Sequence, residues 1–223
     1  MKKSFLIVFC LVLSGTFLFS LGKDLRKIDV SVRPLRPGDH RAAITEATTT
    51  IEASPEVVTR ALVDDLDAWS RFIPRLLSGR VISEAKVKEI LKAGNLDYSG
   101  VLKIIGDEKV PHQATYYYLY YLNYPWPLGN KWIICREVDE INSARHTFHR
   151  NYRLVVGQLV KADGEWLVKP HPENPNWSII TYINIGDAGF QVPHFIGKLI
   201  CLGQARNVLE SVRKRAEAYA GVK

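Results

Sequence analysis

Six consecutive residues near the middle of the chain, Tyr116–Tyr121, have no polar face when they are read as a β-strand. Successive side chains of a strand point to opposite sides of the sheet. Alternation therefore gives two aromatic or apolar faces, with Tyr116, Tyr118 and Tyr120 on one side and Tyr117, Leu119 and Tyr121 on the other. A solvated face would not need this composition, so the strand is predicted to lie between two layers, or between a layer and a cavity. Tyrosine suits both a packed core and the wall of an apolar-ligand site, and the sequence leaves these two interpretations open.

One strand and two short helices are predicted before this segment. Ala43–Ala53 alternates and is rich in β-branched residues, which is typical of a strand. Ser54 predicts a helix start, because its hydroxyl can cap the helix and Pro55 loses nothing at the first helical position. A second short helical turn is predicted over Trp69–Leu77.

The chain from residue 80 to residue 185 is predicted to consist mainly of strands. In addition to the tyrosine strand, the predicted strands are Arg80–Lys88, Leu96–Ile105, Lys131–Val138, Arg145–Val156, Gln158–Ala162, Glu165–Lys169 and Trp177–Ile185. Asp163-Gly164 separates two of them and is a strong hairpin-turn signal. Strands that follow one another so closely favour a curved antiparallel sheet.

A long amphipathic helix is predicted at the end of the chain, over Pro193–Tyr219. Its apolar residues recur every three or four positions, at Phe195, Leu199, Leu202, Ala205, Leu209, Val212 and Ala216. The first half carries few charges and has an apolar band broader than one stripe. We expect this half to be covered on more than one side, or to face a ligand space.

The order of these elements predicts an α+β fold in which the sheet curls around the terminal helix and buries its apolar stripe. A cavity remains if the sheet stands off the helix. The predicted lining residues are Tyr118, Tyr120, Trp132, Ile134, Phe148, Tyr152 and Ile183 on strands, Phe195, Leu199 and Leu202 on the helix, and Trp126 and Phe190 at the entrance loops. A register slip of one residue would exchange the two faces of any strand.

Residues 42 to 219 resemble the START and polyketide cyclase/dehydrase (SRPBCC) superfamily. Ile51 to Pro74 is similar to its opening strand and helices, and Tyr124 to Lys131 resembles its Pro-Trp-Pro loop and the strand that follows. Asp187 to Pro193 resembles its entry to the last helix, although Ala188 and Phe190 depart from the family pattern. The resemblance implies a helix-grip fold with an apolar-ligand cavity. Members of the family include enzymes and regulators, so the fold does not fix the function.

The first 22 residues are predicted to be a secretory signal peptide, with Lys2 and Lys3 before an apolar run that ends near Ser20-Leu21-Gly22. A polar linker or arm is predicted over residues 23–41, followed by a START-like ligand-binding domain over 42–220. Export predicts a periplasmic or extracellular protein.

Cys135 and Cys201 could form a disulfide in such a compartment or remain two small buried hydrophobes.

The formal net charge is +7, and its basic residues are scattered rather than gathered beside a nucleic-acid reading motif. We therefore predict no nucleic-acid partner, and a mildly basic surface fits both a soluble protein and transient contact with an anionic membrane. The sequence contains no phosphate-cradling loop, catalytic elbow or metal-ligand spacing. We predict no cofactor, metal or assigned catalytic residue.

Three functions compete. The favoured one is an exported protein that binds or carries a lipid or other apolar small molecule. The second is a cyclase, dehydratase or hydrolase in which Tyr118, Tyr120, His149 or Arg150 acts on an apolar substrate. The third is an interaction module with a filled cavity, which a cavity volume well under about 300 Å³ would favour.

Overall fold

The computed structural model describes residues 27–36, 42–124, 129–187, 189 and 194–222. Its strands are β1 (Asp29–Pro34), β2 (Ala42–Ile51), β3 (Leu76–Ile82), β4 (Thr115–Asn123), β5 (Asn130–Asn142), β6 (Thr147–Gly157), β7 (Lys161–Pro170) and β8 (Ser178–Asp187). Its helices are α1 (Pro55–Val63), α2 (Glu84–Ala93), α3 (Tyr98–Ile105) and α4 (His194–Ala220), with a short 3-10 helix at Leu66–Arg71.

All the described strands form one curved antiparallel sheet in the order β1-β2-β8-β7-β6-β5-β4-β3. Strands adjacent in sequence are adjacent in the sheet from β3 to β8, and β8 then pairs with β2. The long helix α4 packs against α1, β1 and β2. The predicted α+β helix-grip architecture, a curved antiparallel sheet around a long C-terminal helix, is therefore confirmed.

Each face of the sheet carries its own hydrophobic core, which confirms that the tyrosine strand lies between two layers. On the concave face, Tyr116 and Tyr118 pack in one cluster with Leu209 of α4. On the convex face, Leu119 packs in a second cluster with Ile90 of α2 and residues of α3. Full burial of a large apolar side chain contributes about 1.5–3 kcal/mol, so aromatic residues on both faces stabilise both layers.

The helices α2 and α3 lie where strands were predicted over Arg80–Lys88 and Leu96–Ile105. Only the part of the first prediction up to Ile82, where β3 ends, is a strand, and the rest of both predictions is wrong. The Ser83 hydroxyl accepts a hydrogen bond from the backbone N–H of Lys86 at 3.3 Å and caps α2. The Asp97 carboxylate accepts one from the N–H of Gly100 at 2.7 Å and caps α3. These caps begin helices whose buried residues recur every three or four positions.

The predicted hairpin at Asp163-Gly164 is also wrong, because β7 runs through both residues. A Cβ atom at position 164 would lie 2.1 Å from the backbone oxygen of Ile183 and 2.4 Å from the hydroxyl oxygen of Tyr152. Glycine is therefore required there by the close approach of its neighbours, not by a turn.

The segment predicted as a polar linker, residues 23–41, contains the edge strand β1. Val30 pairs with Ala47 and Val32 with Thr45, so this part of the segment belongs to the sheet. The predicted signal peptide, residues 1–22, lies outside the described residues. Within the described part of the chain, no helix is both long and apolar enough to cross a membrane.

Candidate ligand cavity

A cavity of about 210 Å³ lies between the concave face of the sheet and the first half of α4. Its lining residues on strands are Val32, Arg33, Pro34, Ala42, Ala43, Leu76, Tyr120, Leu122, Ile133, Cys135, Tyr152, Ala162, Trp166, Tyr182, Asn184, Gly186 and Asp187. Those on helices and connections are Trp69, Ile73, Pro74, Tyr124, Leu159, Gly197, Lys198, Ile200, Cys201, Gln204 and Val208. The side chains of Arg33 and Lys198 are exposed, so the cavity reaches the surface.

The pairing of β4 with β5 decides which residues of β5 face this cavity. Tyr120 lies opposite Ile133, so these two side chains point to the same face of the sheet. Ile133 and Cys135 line the cavity. The predicted residues Trp132 and Ile134 instead lie in the convex core, and their assignment to the cavity is wrong by one residue of register.

The other predicted strand residues separate into three groups. Tyr120 and Tyr152 line the cavity. Tyr118 and Phe148 lie in the concave core, and neither lines the cavity. The Tyr118 hydroxyl donates a hydrogen bond to the backbone oxygen of Leu66 at 2.7 Å. Ile183 does not line the cavity, because its neighbours Tyr182 and Asn184 occupy the cavity face of β8. Trp126 and Phe190 lie outside the described residues.

The first half of α4 turns a different face to the cavity from the one predicted. Phe195 and Leu199 are 66% and 65% exposed, and Leu202 is half-buried and does not line the cavity. Steps of three or four residues back from Val208 lead instead to Gln204, Cys201 and Gly197. The side of the helix that faces the sheet therefore carries mostly small and polar residues near the cavity, with Ile200 as its large apolar residue, and the predicted residues Phe195, Leu199 and Leu202 lie on another side.

Sequence reasoning missed several cavity residues, among them Ile133, Cys135, Trp166 and Tyr182. The predicted residues Trp132 and Ile134 are even-numbered like Tyr118 and Tyr120, but the pairing of β4 with β5 places even-numbered residues opposite odd-numbered ones. With the correct pairing of β4 and β5, the alternation of side chains would have placed Ile133 and Cys135 on the cavity face.

No protein-family model and no curated protein matches this sequence. Solved structures do resemble it. A STAR-related lipid transfer protein from Xanthomonas axonopodis is 15% identical, with a TM-score of 0.62 over 89% of this chain and 98% of that chain. Human StAR-related lipid transfer protein 5 is 11% identical, with a TM-score of 0.60 over 96% of this chain and 97% of that chain. The Zhui aromatase/cyclase from Streptomyces sp. R1128 is 13% identical, with a TM-score of 0.54 over 80% and 96%.

The chain has the helix-grip fold of the START and polyketide cyclase superfamily. The resemblance inferred from the Pro-Trp-Pro loop and its flanking segments is thus confirmed at the level of the fold. Because lipid transfer proteins and an aromatase/cyclase share this fold, the function has to be argued from the cavity.

A buried ionic cluster lies behind Tyr120 in the wall of the helix-grip cavity, and this part of the wall is called the floor. Arg150 is 1% exposed and donates hydrogen bonds to both carboxylate oxygens of Asp139, at 2.6 and 2.7 Å. Its Nε also lies 3.3 Å from Glu137. The hydroxyls of Tyr116 and Tyr120 donate to Glu137, the first at 2.7 Å. The carboxylates are thereby covered, and of the described cluster only Tyr120 lines the cavity.

The hydroxyl and thiol groups that line the helix-grip cavity are neutral near pH 7. Burial raises the pKa of Tyr120 and Tyr152 well above the ordinary value, and it raises the pKa of Tyr182 to about 12. Burial likewise raises the pKa of the Cys135 and Cys201 thiols, both of which are free. The Tyr120 and Tyr152 hydroxyls and the Cys135 thiol already donate to protein acceptors, which leaves Tyr182 and Cys201 to donate to a ligand. All five groups are poor bases and nucleophiles in this state.

Two residues predicted for the enzymatic alternative do not reach the helix-grip cavity. His149 is hydrogen-bonded to Glu165 at 2.9 Å and lies next to Phe148 on the strand, so it points to the convex side. Arg150 is enclosed by its carboxylates. Among the described residues, no group of three or more His, Cys, Asp and Glu side chains is placed to hold a metal ion.

Proposed function

We propose that the protein binds an apolar small molecule, or a single lipid chain, in the helix-grip cavity and carries it. The observation that carries this proposal is the chemistry of the lining, which is aromatic and aliphatic with neutral hydroxyl, thiol and amide groups and, among the described lining residues, carries charge only at Arg33, Asp187 and Lys198. Such a lining is typical of sites for apolar ligands, in which a few polar groups fix orientation. The fold shared with two lipid transfer proteins supports the same function.

The volume of the cavity limits the ligand. A cavity of about 210 Å³ is smaller than the roughly 300–1,000 Å³ that drug-sized ligands occupy. The proposal is therefore restricted to a small molecule or one acyl chain, and a larger lipid would require the first half of α4 to move away from the sheet.

Fluorescence titration with the neutral apolar probe N-phenyl-1-naphthylamine tests the proposal. We expect saturable binding by the wild-type protein. Cys201→Phe fills the cavity from the helix side and should abolish binding, whereas Asn207→Phe adds the same ring at an exposed position of α4 and should not. Absence of saturable binding by the wild-type protein, or equal binding by Cys201→Phe, would contradict the proposal.

An enzyme of the cyclase type is a second candidate, because an aromatase/cyclase shares the fold and Tyr120 lines the cavity. Of the residues predicted for catalysis, only Tyr120 could touch a bound substrate. Mass spectrometry of a molecule extracted before and after incubation distinguishes the candidates. A carrier returns the molecule unchanged, and an enzyme returns a product that Tyr120→Phe does not form.

Transient membrane contact is part of the proposal. Phe195, Ile196 and Leu199 expose apolar side chains on the half of α4 that borders the cavity, and Lys198 in the same turn suits an anionic lipid surface. We expect Phe195→Ser with Leu199→Ser to reduce sedimentation with vesicles of phosphatidylcholine and phosphatidylglycerol. Ile141→Ser with Leu91→Ser removes exposed apolar side chains on β5 and α2, outside the cavity lining, and should leave it unchanged.

Export is also proposed, on the charged start and apolar run of residues 1–22. Expression of the full chain in a bacterial host, followed by N-terminal sequencing of the exported fraction, tests it. We expect a mature protein that begins at Lys23. Recovery of the intact chain from the cytoplasm alone would contradict export.

A further inference from the structure

Two exposed cations line the opening of the cavity, and a third cation, Arg75, adjoins the lining in the chain. Arg33 and Lys198 line it and are exposed. Arg75 stands between two lining residues, Pro74 and Leu76. None of the three cations forms an ion pair with a carboxylate in the described part of the chain. The opening is therefore electrostatically positive, with one acidic side chain, Asp187, among the described lining residues.

Arg75 has two features that indicate a missing partner. Its φ of +67° is in the left-handed region, which non-glycine residues rarely occupy and which is enriched at functional sites. Its Nη1 atom is buried without a hydrogen-bond partner among the described residues. A buried guanidinium nitrogen without an acceptor is costly, and an acceptor on a bound molecule would remove that cost.

Arg75 is held against the cavity wall through its backbone, because its carbonyl oxygen accepts a hydrogen bond at 2.8 Å from the N–H of Asn123, the residue before the lining residue Tyr124. Burial raises the pKa of the Cys201 thiol and of the Tyr124 hydroxyl, and the positive charge of Arg75 opposes this rise at both groups. Cys201 and Tyr124 both line the cavity. Arg75 is therefore within electrostatic reach of whatever fills the space between them.

The floor of the cavity has the opposite character. Arg150 faces two carboxylates, Glu137 and Asp139, so acidic groups outnumber the buried cation there. Each of its donor nitrogens has an acceptor, the third being the backbone oxygen of Leu62 at 3.3 Å. The Tyr120 hydroxyl is already committed to Glu137. Trp69 lines the cavity near Arg150, and its indole N–H has no hydrogen-bond partner among the described residues, so one neutral donor is available there. The two carboxylates nevertheless make the field unfavourable for an anionic group at the floor.

We infer that the ligand is a single-chain amphiphile with an anionic head group, bound tail first with its head at the opening beside Arg75, Lys198 and Arg33. This inference rests on the proposed function and specifies its ligand class. The apolar walls accept the chain, and the cations at the opening supply charge-assisted hydrogen bonds to a carboxylate or a phosphate head. The carboxylates of Glu137 and Asp139 behind Tyr120 disfavour the reverse orientation.

Competition against N-phenyl-1-naphthylamine tests the inference, with lauric acid, dodecyl phosphate and dodecanol as competitors of equal chain length. We expect at least one anionic competitor to displace half of the probe at about one tenth of the dodecanol concentration, because a charge-assisted hydrogen bond is worth about that factor in affinity. The more effective anion identifies the head group as a carboxylate or a phosphate. This preference should decrease as sodium chloride is added.

Variants locate the head group. The measured quantity is the half-displacement concentration of dodecanol divided by that of the better anion. This ratio should fall about tenfold in the double variant that carries both Arg75→Gln and Lys198→Gln. It should fall about threefold in the single variant Lys198→Gln, because Lys198 is exposed. Lys103→Gln with Arg153→Gln removes two exposed cations outside the cavity lining and should keep the wild-type ratio.

The outcomes separate the two proposals. A ratio near one in the wild-type protein, with the probe bound, overturns the anionic ligand and leaves apolar-ligand binding standing. A ratio unchanged in both cation variants overturns the assignment of the head group to this opening. Failure of the wild-type protein to bind the probe at all overturns the proposed function, and this inference with it.

Discussion

At the scale of single residues, the floor of the cavity shows how an apolar sheet face accommodates charge. Arg150 and Asp139 are both buried, and they are tolerated because bidentate hydrogen bonds join them and Glu137 receives two tyrosine hydroxyls. Removal of one partner from such a buried pair typically costs about 3–5 kcal/mol. The tyrosines therefore have a polar as well as an apolar role on this face.

The carboxylate of Asp139 should give the protein a pH-dependent stability in acid. Burial alone raises the pKa of Asp139, but hydrogen bonds from Arg150 and His112 outweigh burial and hold it below the ordinary value of 3.8. The unfolded chain binds this proton more tightly, so the stabilisation is present above about pH 4 and is lost as pH falls through the lowered pKa.

Urea unfolding between pH 2.5 and pH 6 measures this effect. We expect the free energy of unfolding to fall less steeply with acid in Asp139→Asn than in the wild-type protein. Asp107→Asn removes an exposed carboxylate and should retain the wild-type slope. Equal slopes in Asp139→Asn and the wild-type protein would show that Asp139 does not contribute.

Gly164 should not tolerate a side chain, although it lies within a regular strand. The added methyl group of Gly164→Ala would overlap the backbone oxygen of Ile183 and the hydroxyl of Tyr152. We expect a loss of about 2 kcal/mol in the free energy of unfolding, within the usual range for overpacking. Gly203→Ala meets no neighbour within 4 Å in α4 and should gain about 0.5–1 kcal/mol. A neutral Gly164→Ala would refute the close-approach explanation.

At the scale of secondary structure elements, α4 consists of two halves with different roles. The second half buries Ala205, Leu209, Val212 and Ala216 against the sheet and α1, as its periodicity predicts. The first half borders the cavity and exposes Phe195 and Leu199. The same helix therefore closes the core at one end and leaves an apolar surface beside the cavity at the other.

Substitutions in the two halves should differ in their effect on stability. We expect Leu209→Ala to lower the free energy of unfolding by about 2–5 kcal/mol, because it removes a fully buried side chain. Leu199→Ser should change it by less than about 0.5 kcal/mol, because the side chain is largely exposed. Urea unfolding at pH 7 measures both values, and a large loss in Leu199→Ser would show that the first half of α4 also belongs to the core.

At the scale of the whole molecule, the cavity exists because small residues occupy positions where the sheet and α4 face each other. Ala162 and Gly186 on the sheet lie across this space from Gly197 and Cys201 on the helix. Larger side chains there would fill the gap, as they do in the second half of the helix. Close packing is otherwise the rule in protein interiors, so a gap of about 210 Å³ beside the well-packed concave core is consistent with binding.

Ligand binding should therefore stabilise the folded state by mass action. At a probe concentration 100 times its Kd, we expect the free energy of unfolding of the wild-type protein to increase by about 2.7 kcal/mol. Cys201→Phe should show no such increase, because its ring occupies the cavity. An increase of equal size in Cys201→Phe would place the probe elsewhere on the molecule.

The local periodicity of the chain determined the class of fold. The double-faced tyrosine strand required two layers, the spacing of Ala205, Leu209 and Val212 defined the buried stripe of α4, and the Pro-Trp-Pro loop pointed to the helix-grip fold. These features depend on residues close together in sequence. Ser83 and Asp97 also carry a local signal, because each can cap a helix. The apolar residues around them led to the prediction of strands instead.

The tertiary structure alone decided which residues meet at the cavity. The pairing of Tyr120 with Ile133 depends on the connection between β4 and β5, and a change of one residue moves every side chain of a strand to the other face. The cavity face of α4 depends on how the whole helix lies against the sheet, which its own pattern of apolar residues does not specify. Short-range periodicity therefore predicted most of the elements, and long-range register and docking decided the site.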